Sequence, residues 1–241
     1  MRSLGVLALV LAASAARAED GYELWLRYRP LSDARALERA RAAAAELVIP
    51  AGSPVQRAAR DELRRGLRGL LDRDVPLADA VSRHGAIVAG TPSRSSAIAA
   101  LDIGTDLGRA GQEGFLIRST RVAGKRATVI AANTDVGVLY GAFRLLRLLQ
   151  TGHAMDGLSI IDAPRVKRRL LNHWDNLDRT VERGYAGFSL WDWHKLPDHL
   201  DPRTTDYARA NASIGINGTV LTNVNANATS LTAEWLAKAA A

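Results

Sequence analysis

The order of strand-like and helix-like segments constrains the fold of this chain most. Residues 168–172 resemble a buried strand, 202–214 a helix, 219–224 a second strand and 231–241 the start of another helix. This order is typical of parallel βα units. A closed eightfold barrel takes about 250 residues, so only two of its units fit here. We therefore predict that residues 168–241 form the first two βα units of an incomplete (β/α)8 barrel, and that the chain is a truncated fragment.

The preceding residues predict a small α/β domain over residues 19–152. Residues 22–28 alternate apolar and polar side chains, which predicts a first strand. Residues 55–71 repeat apolar side chains every three or four positions, as an amphipathic helix does. Residues 86–89 are a short apolar run typical of a buried strand. A domain of this size can bury its own core.

A hairpin and a capped helix complete the predicted domain. Strands at 114–119 and 127–132 flank a turn in which Gly124 can take the positive φ that a hairpin requires. A helix capped by Thr134 or Asn133 follows and runs to about residue 149. The fold class is therefore α/β throughout.

Two segments lie outside these units. Residues 153–167 read as a linker with a short strand. Residues 1–18 contain Arg2, an apolar run and the small-residue ending Ala16-Arg17-Ala18, which together predict a signal peptide and export to the periplasm or the medium. The apolar run is too short to span a membrane, and no later segment offers about 20 apolar residues, so we expect no membrane span.

Composition excludes several classes of protein. The chain has no cysteine, which excludes a disulfide framework and a thiolate metal site. His194 and His199 do not share a helical face and have no third ligand nearby, so we expect no metal site and no cofactor. The formal charge is +7, and all but four of the basic residues are arginine. These arginines are spread along the sequence except at residues 165–169, a run that suits either a solvated lead-in to a strand or a polyanion contact. Given the predicted export, we expect no nucleic-acid partner.

Residues 170–197 combine three of the five tryptophans with amides, carboxylates and histidines. Indole faces stack on the C–H faces of sugars, whose hydroxyls need both donors and acceptors. This composition favours a carbohydrate ligand. For Trp191 and Trp193, packing in a core is the better interpretation. Asp175, Asp178 and Asp192 are expected to cap turns or to pair with arginines rather than to catalyse.

Several ordered blocks resemble the α-glucuronidases of glycoside hydrolase family 67. The blocks are GYELWLRY at 21–28, NHWDN at 172–176, VERGYAG at 181–187, SLWDW at 189–193, YARANASIGING at 207–218 and VLTNVNA at 220–226. Two positions depart from the family pattern: Arg179 stands where glycine is common, and Phe188 where a basic residue is common.

The resemblance implies an N-terminal α/β domain, a (β/α)8 catalytic barrel and a helical C-terminal domain. It also implies removal of 4-O-methylglucuronic acid from the ends of xylooligosaccharides, with inversion at the anomeric carbon. In this family the catalytic carboxylates come from later barrel strands, beyond Ala241. No catalytic residue is therefore assigned here, and the chain by itself is expected to be inactive.

Ligands of such barrels sit at the carboxyl ends of the strands, so the residues that follow the two predicted strands are candidates for the pocket wall. Trp174 is expected to stack on the glucuronate ring, while His173 and Asn176 are expected to bind its hydroxyls. The candidate substrate-binding residues are Trp174, His173, Asn176, Asp175, Asn223 and Asn225.

Two further questions stay open on the sequence alone. The chain is either a portion of an α-glucuronidase or a non-catalytic carbohydrate-binding or scaffold module that uses the tryptophan-rich segment. Nothing in the sequence fixes the oligomeric state, and a homodimer of the full-length enzyme is one alternative.

Overall fold

A computed structural model describes residues 19–222 and 225–240. The predicted signal peptide, residues 1–18, and Asn223 lie outside the described residues. In chain order the elements are α1 (Ala34–Ala43), β1 (Glu46–Val48), α2 (Pro54–Leu71), β2 (Ala86–Gly90), α3 (Ser96–Ala99), α4 (Gly104–Ala110), β3 (Phe115–Val122), β4 (Lys125–Ala131), α5 (Asp135–Gln150), β5 (Ser159–Asp162), β6 (Leu170–Asp175), α6 (Pro202–Ser213), β7 (Gly218–Thr222), a 3₁₀ turn (Ala228–Leu231) and α7 (Ala233–Ala240).

The first region is built on a five-stranded mixed sheet with the order β1-β2-β4-β3-β5. Strands β1, β2 and β4 are parallel, while β3 runs antiparallel to both β4 and β5. Successive side chains of a strand point to opposite faces, so one strand contributes side chains to two hydrophobic cores. Ile87 and Ile130 pack with α1, α2 and α5, whereas Val88 and Val129 pack with α3 and α4. Helices on both faces of the sheet confirm the α/β class.

The hairpin and the two long helices lie where the sequence predicts them. In the turn between β3 and β4, Ala123 and Gly124 have φ values of 48° and 75°, as a tight two-residue hairpin turn requires. The side-chain oxygen of Thr134 accepts a hydrogen bond from Gly137 N and caps α5. Helices α2 and α5 pack closely, because a Cβ added at Gly66 would lie 2.6 Å from the Leu146 side chain.

The predicted first strand at residues 22–28 is wrong. Residues 22–25 form turns, and Leu24 and Tyr28 have φ values of 52° and 44°, which a strand does not tolerate. The apolar alternation instead reflects individual burial, since Leu26 and Tyr28 are buried against the first core. The sheet begins with Glu46–Val48, a strand of three residues that is too short to show a period. Helices α1, α3 and α4 were not predicted either.

The second region contains the predicted parallel pair. Strand β6 pairs with β7 in a parallel register that begins with Leu170 opposite Gly218. The register shifts between Asn172 and Asp175. Helix α6 connects the two strands and α7 follows β7, as in a βαβα unit. The continuation of this pair into a barrel stays a prediction. Strand β5, inside the predicted linker, is hydrogen-bonded to β3 at the edge of the first sheet.

Charged side chains join the two regions. Glu62 of α2 is buried and accepts hydrogen bonds from Tyr28 Oη at 2.6 Å and from Arg209 Nε of α6 at 2.5 Å. Arg169, at the end of the basic run, pairs with Glu113. The other basic residues of that run are exposed, as a solvated lead-in predicts. Because a buried carboxylate needs partners, these contacts fix β6 and α6 against the first domain.

In the part of the chain that the structure covers, 19–222 and 225–240, no helix combines the length and the apolar character needed to cross a lipid bilayer.

Candidate functional site

The site begins at the carboxyl end of β6, where three consecutive side chains have different surroundings. Trp174 is 45% exposed, while Asp175 is only 3% exposed. His173 lies on the same side as Asp175, with His173 Nδ1 3.8 Å from Asp175 Oδ1. The strand therefore presents an indole to one side and a polar pair to the other, because neighbouring side chains of a strand alternate.

A line of polar contacts runs from the loop after β6 across α6 to β7. Ser189 Oγ donates a hydrogen bond of 2.5 Å to Asp175 Oδ2. His173 Nε2 lies 2.6 Å from Tyr207 Oη, which lies 2.9 Å from Thr219 Oγ1 of β7. These contacts connect the carboxyl end of β6 with the start of β7, so the position of each side chain depends on the others.

Aromatic rings enclose this polar line. The ring centroids of His173, Trp191 and Tyr207 lie 5.3–5.4 Å apart in edge-to-face pairs. Trp191 is 9% exposed, and Trp193 is 3% exposed and packs edge-on to Trp235. The packing interpretation of Trp191 and Trp193 is confirmed. Within the described residues, neither indole N–H has a hydrogen-bond partner.

Asn176 holds the first turn of the loop after β6. Its Nδ2 donates to Thr180 Oγ1 at 3.0 Å and to the Glu182 carbonyl at 2.8 Å. The backbone N–H of Glu182 in turn donates to the Trp174 carbonyl at 2.7 Å. Both amide hydrogens are used within the protein, which leaves the carboxamide oxygen as the group that a sugar hydroxyl can meet.

The acidic side chains of this loop are engaged in turns and ion pairs, as the sequence predicts. Asp178 Oδ1 accepts from the Thr180 hydroxyl and backbone N–H, and these bonds hold the pKa of Asp178 below its ordinary value. Asp192 lies 3.2 Å from both Arg179 and Lys195. Although desolvation opposes ionisation of Asp192, those two cations keep its pKa low. Neither group is poised as a proton donor at neutral pH.

Asp175 differs from the prediction that it caps a turn in an exposed loop. It is the last residue of β6, is buried and has Ser189 as its hydrogen-bond donor. The strand extends further than predicted and carries the carboxylate into the interior. Asn225 is exposed in the loop after β7.

The sequence prediction missed three members of the polar line. Ser189 and Tyr207 begin two of the blocks that resemble family 67, but neither stands near a predicted strand end. Thr219 lies inside the predicted second strand. Only the packing of the loop 176–201 and α6 against the β6–β7 pair brings the three together.

No cluster of three or more His, Asp or Glu side chains with the spacing of a metal site occurs among residues 19–222 and 225–240. What the strand ends offer is one exposed indole, a buried carboxylate, an imidazole and amides. This set can bind and orient a polar ring, and it contains no pair of exposed carboxylates.

Comparison with known proteins places the chain among the glycoside hydrolases. It belongs to glycosyl hydrolase family 67, since the sequence model of the family's N-terminus matches residues 24–145 and that of its middle domain matches residues 148–241. The resemblance found in the sequence is thus confirmed.

Curated relatives match along nearly the whole chain. Alpha-glucuronidase A of Emericella nidulans is 34% identical over 247 residues, which cover 97% of this chain and 28% of the relative. Probable alpha-glucuronidase A of Aspergillus oryzae is 32% identical over 244 residues, covering 97% of this chain and 27% of the relative. The chain spans little more than a quarter of the length of these proteins.

A solved structure is similar in fold. A family GH115 4-O-methyl-α-glucuronidase with specificity for decorated arabinogalactans superposes with a TM-score of 0.51 at 19% identity, over 72% of this chain and 25% of that chain. At this identity the likeness concerns the fold alone.

Proposed function

We propose that this chain contributes the N-terminal domain and the first two βα units of an α-glucuronidase that releases glucuronic or 4-O-methylglucuronic acid from xylooligosaccharides. The observation that carries the proposal is the match of two successive family 67 domains to residues 24–145 and 148–241. The names of the curated relatives support the activity.

In the proposed enzyme, Trp174 is the wall of the uronic-acid pocket. Its exposed indole belongs to the last but one residue of β6, at the edge where barrel enzymes bind ligands. A pyranose ring that covers such an indole buries apolar surface on both partners, which stabilises the complex without requiring a charge.

We infer that His173 and Asp175 position this wall rather than react. Both His173 nitrogens face protein groups, Asp175 at 3.8 Å and Tyr207 at 2.6 Å. Asp175 is buried beneath Ser189. Such a supporting set holds a binding side chain in place, because displacements of about 1 Å already weaken catalysis.

Hydrolysis with inversion requires an acid and a base roughly 6.5–9.5 Å apart, with a water molecule between the base and the sugar. We propose that other segments of the complete enzyme supply this pair, and that the 241-residue chain alone binds but does not cleave. Export through the N-terminal segment, before catalysis on xylan fragments outside the cytoplasm, is part of the proposal.

The test compares the polypeptide of the complete reading frame with the 241-residue chain. Both are incubated with 4-O-methylglucuronosyl xylooligosaccharides, and released uronic acid is measured by anion-exchange chromatography. Release by the former and none by the latter is expected, with the β-anomer of the free acid appearing first by proton NMR. A complete polypeptide that binds these oligosaccharides without releasing acid would instead favour the binding-module alternative.

A further inference from the structure

A large open groove lies on the first domain and outside the candidate site. Its volume is about 870 Å³. It is formed by residues 23–30, the exposed face of α2, the segment that follows α2 and one residue of α6. No residue of β6, β7 or the loop 176–201 lines it.

The groove concentrates positive charge. Seven arginines line it against four acidic residues, Glu23, Asp61, Asp72 and Asp74. The arginines are Arg27, Arg29, Arg64, Arg65, Arg68, Arg73 and Arg209. Four of them lie within residues 64–73, and folding adds Arg27, Arg29 and Arg209 to that local cluster.

Arg27 and Arg29 pair with Glu19, and Arg209 pairs with Glu62. Three of the other guanidinium groups have no carboxylate partner among the described residues. Arg64 and Arg65 are exposed and form no ion pair, and Arg73 donates only to the backbone carbonyls of Arg41 and Ala44. Arg68 is 3.6 Å from Asp74, but both side chains are largely exposed, so water screens this pair. The groove thus retains unneutralised donors.

The spacing along α2 adds to the positive potential. Arg64 and Arg68 are four residues apart and face the same side of the helix. Like charges at this spacing destabilise a helix, and an anion bound between them relieves the repulsion. Guanidinium groups suit planar carboxylates, which they bind through two parallel hydrogen bonds.

The lining also indicates how a ligand is recognised. The groove's single aromatic ring, Tyr28, is 4% exposed, and its hydroxyl is bound to Glu62. Stacking of the kind expected at Trp174 is therefore absent among the lining residues, and charge is the remaining means of recognition. The volume of the groove lies in the upper part of the range found for ligand sites. A groove of this size can hold several sugar units.

We propose that this arginine groove is a second carbohydrate site, which binds the uronate carboxylates of a glucuronic-acid-bearing polysaccharide and retains the polymer near the enzyme. The proposal rests on the proposed function for its ligand class. The groove binds side-chain uronates along the polymer, whereas the pocket at β6 takes the terminal unit that is cleaved.

The test uses the polypeptide of the complete reading frame and affinity electrophoresis in gels that contain glucuronoxylan or neutral arabinoxylan. The variant Arg64→Gln/Arg65→Gln/Arg68→Gln removes three charges from the groove. The matched control, Arg35→Gln/Arg109→Gln/Arg121→Gln, removes three charges from exposed positions that do not line it. Release of uronic acid from a short oligosaccharide is measured in parallel.

Glucuronoxylan is expected to retard the wild type and the control equally. The groove variant should be retarded less, with an apparent dissociation constant at least tenfold higher than that of the wild type. Arabinoxylan should retard none of them, and cleavage of the short oligosaccharide should be unchanged. Equal retardation of variant and wild type overturns the proposal. So does stronger binding to DNA or to a sulfated polymer than to glucuronoxylan, or a groove variant that loses only stability. Failure to cleave the short oligosaccharide, with retention intact, contradicts the proposed function instead.

Discussion

Ser189 donates its hydroxyl hydrogen to the carboxylate of Asp175, 14 residues earlier in the chain, over 2.5 Å. The loop between them carries the turns at Asn176 and Asp178, so this bond closes the loop onto the end of β6. Asp175 is buried, and burial of a carboxylate is costly unless donors surround it. The contact therefore couples the loop conformation to the position of the strand that carries Trp174.

Ser189→Ala should lower the free energy of unfolding by about 1–3 kcal/mol, because it leaves a buried carboxylate with fewer donors. Urea denaturation measures the change. Ser96→Ala, at an exposed serine of α3, is the control and should change stability by less than about 0.5 kcal/mol. Equal effects of the two substitutions would contradict a special role for the buried bond.

Trp174→Ala in the complete enzyme should lower kcat/KM on glucuronosyl xylooligosaccharides by about tenfold or more, since stacking of one ring on a sugar amounts to roughly 1.5–3 kcal/mol. Its stability should change little because the side chain is 45% exposed. Trp193→Ala should instead destabilise the fold by about 3–5 kcal/mol, since Trp193 is 3% exposed. An unchanged kcat/KM for Trp174→Ala would contradict the assignment of Trp174 to the pocket.

Arg179 has a φ of 72°, in the left-handed region, at a position where the family resemblance leads us to expect glycine. Arg179→Gly should therefore be more stable than Arg179→Ala by about 1 kcal/mol, because only glycine avoids the Cβ clash there. At Arg183, whose φ lies outside the left-handed region, Arg183→Ala should instead be more stable than Arg183→Gly by about 0.5–1 kcal/mol. Thermal denaturation of the four variants decides the point.

Glu62 joins the first domain to α6 through Arg209 and Tyr28. Arg209→Met should destabilise the chain by about 3 kcal/mol, because it leaves the buried Glu62 without its cation. The double variant Glu62→Leu/Arg209→Met should recover part of that loss, since it removes both charges. A double variant less stable than Arg209→Met, measured by urea denaturation, would refute this account.

Glu46, at the edge of the first sheet, accepts hydrogen bonds from Ser82 N, Ser82 Oγ and Arg83 N at 2.6–3.0 Å. Desolvation raises its pKa, but these bonds and the Arg83 charge outweigh it and hold the pKa below its ordinary value. The unfolded chain then binds more protons than the folded one in this range, so the contribution of Glu46 to stability is fully present above the ordinary glutamate pKa of about 4.3 and is lost as the pH falls through the lowered pKa of the folded state. The free energy of unfolding of Glu46→Gln should fall less steeply than that of the wild type between pH 6 and pH 3. An identical fall in the two proteins would exclude this contribution.

The sequence by itself determined the local elements that have a clear period or a clear cap. Helices α2 and α5, the hairpin turn at Gly124 and the parallel pair β6–β7 follow from apolar spacing, Thr134 and strand order. These features depend on residues close together in the chain, and the blocks after residue 170 were distinctive enough to indicate the family.

Only the tertiary structure decided which distant residues meet. Residues 22–28 have the alternation of a strand, yet positive φ at Leu24 and Tyr28 turns them onto α2, where burial outweighs strand pairing. Similarly, Ser189 reaches Asp175, and arginines from four segments line one groove. Such contacts join residues far apart in sequence, and no local period encodes them. Trp174 could be singled out as a candidate from the sequence, while the groups that hold its strand in place appear only once the chain is folded.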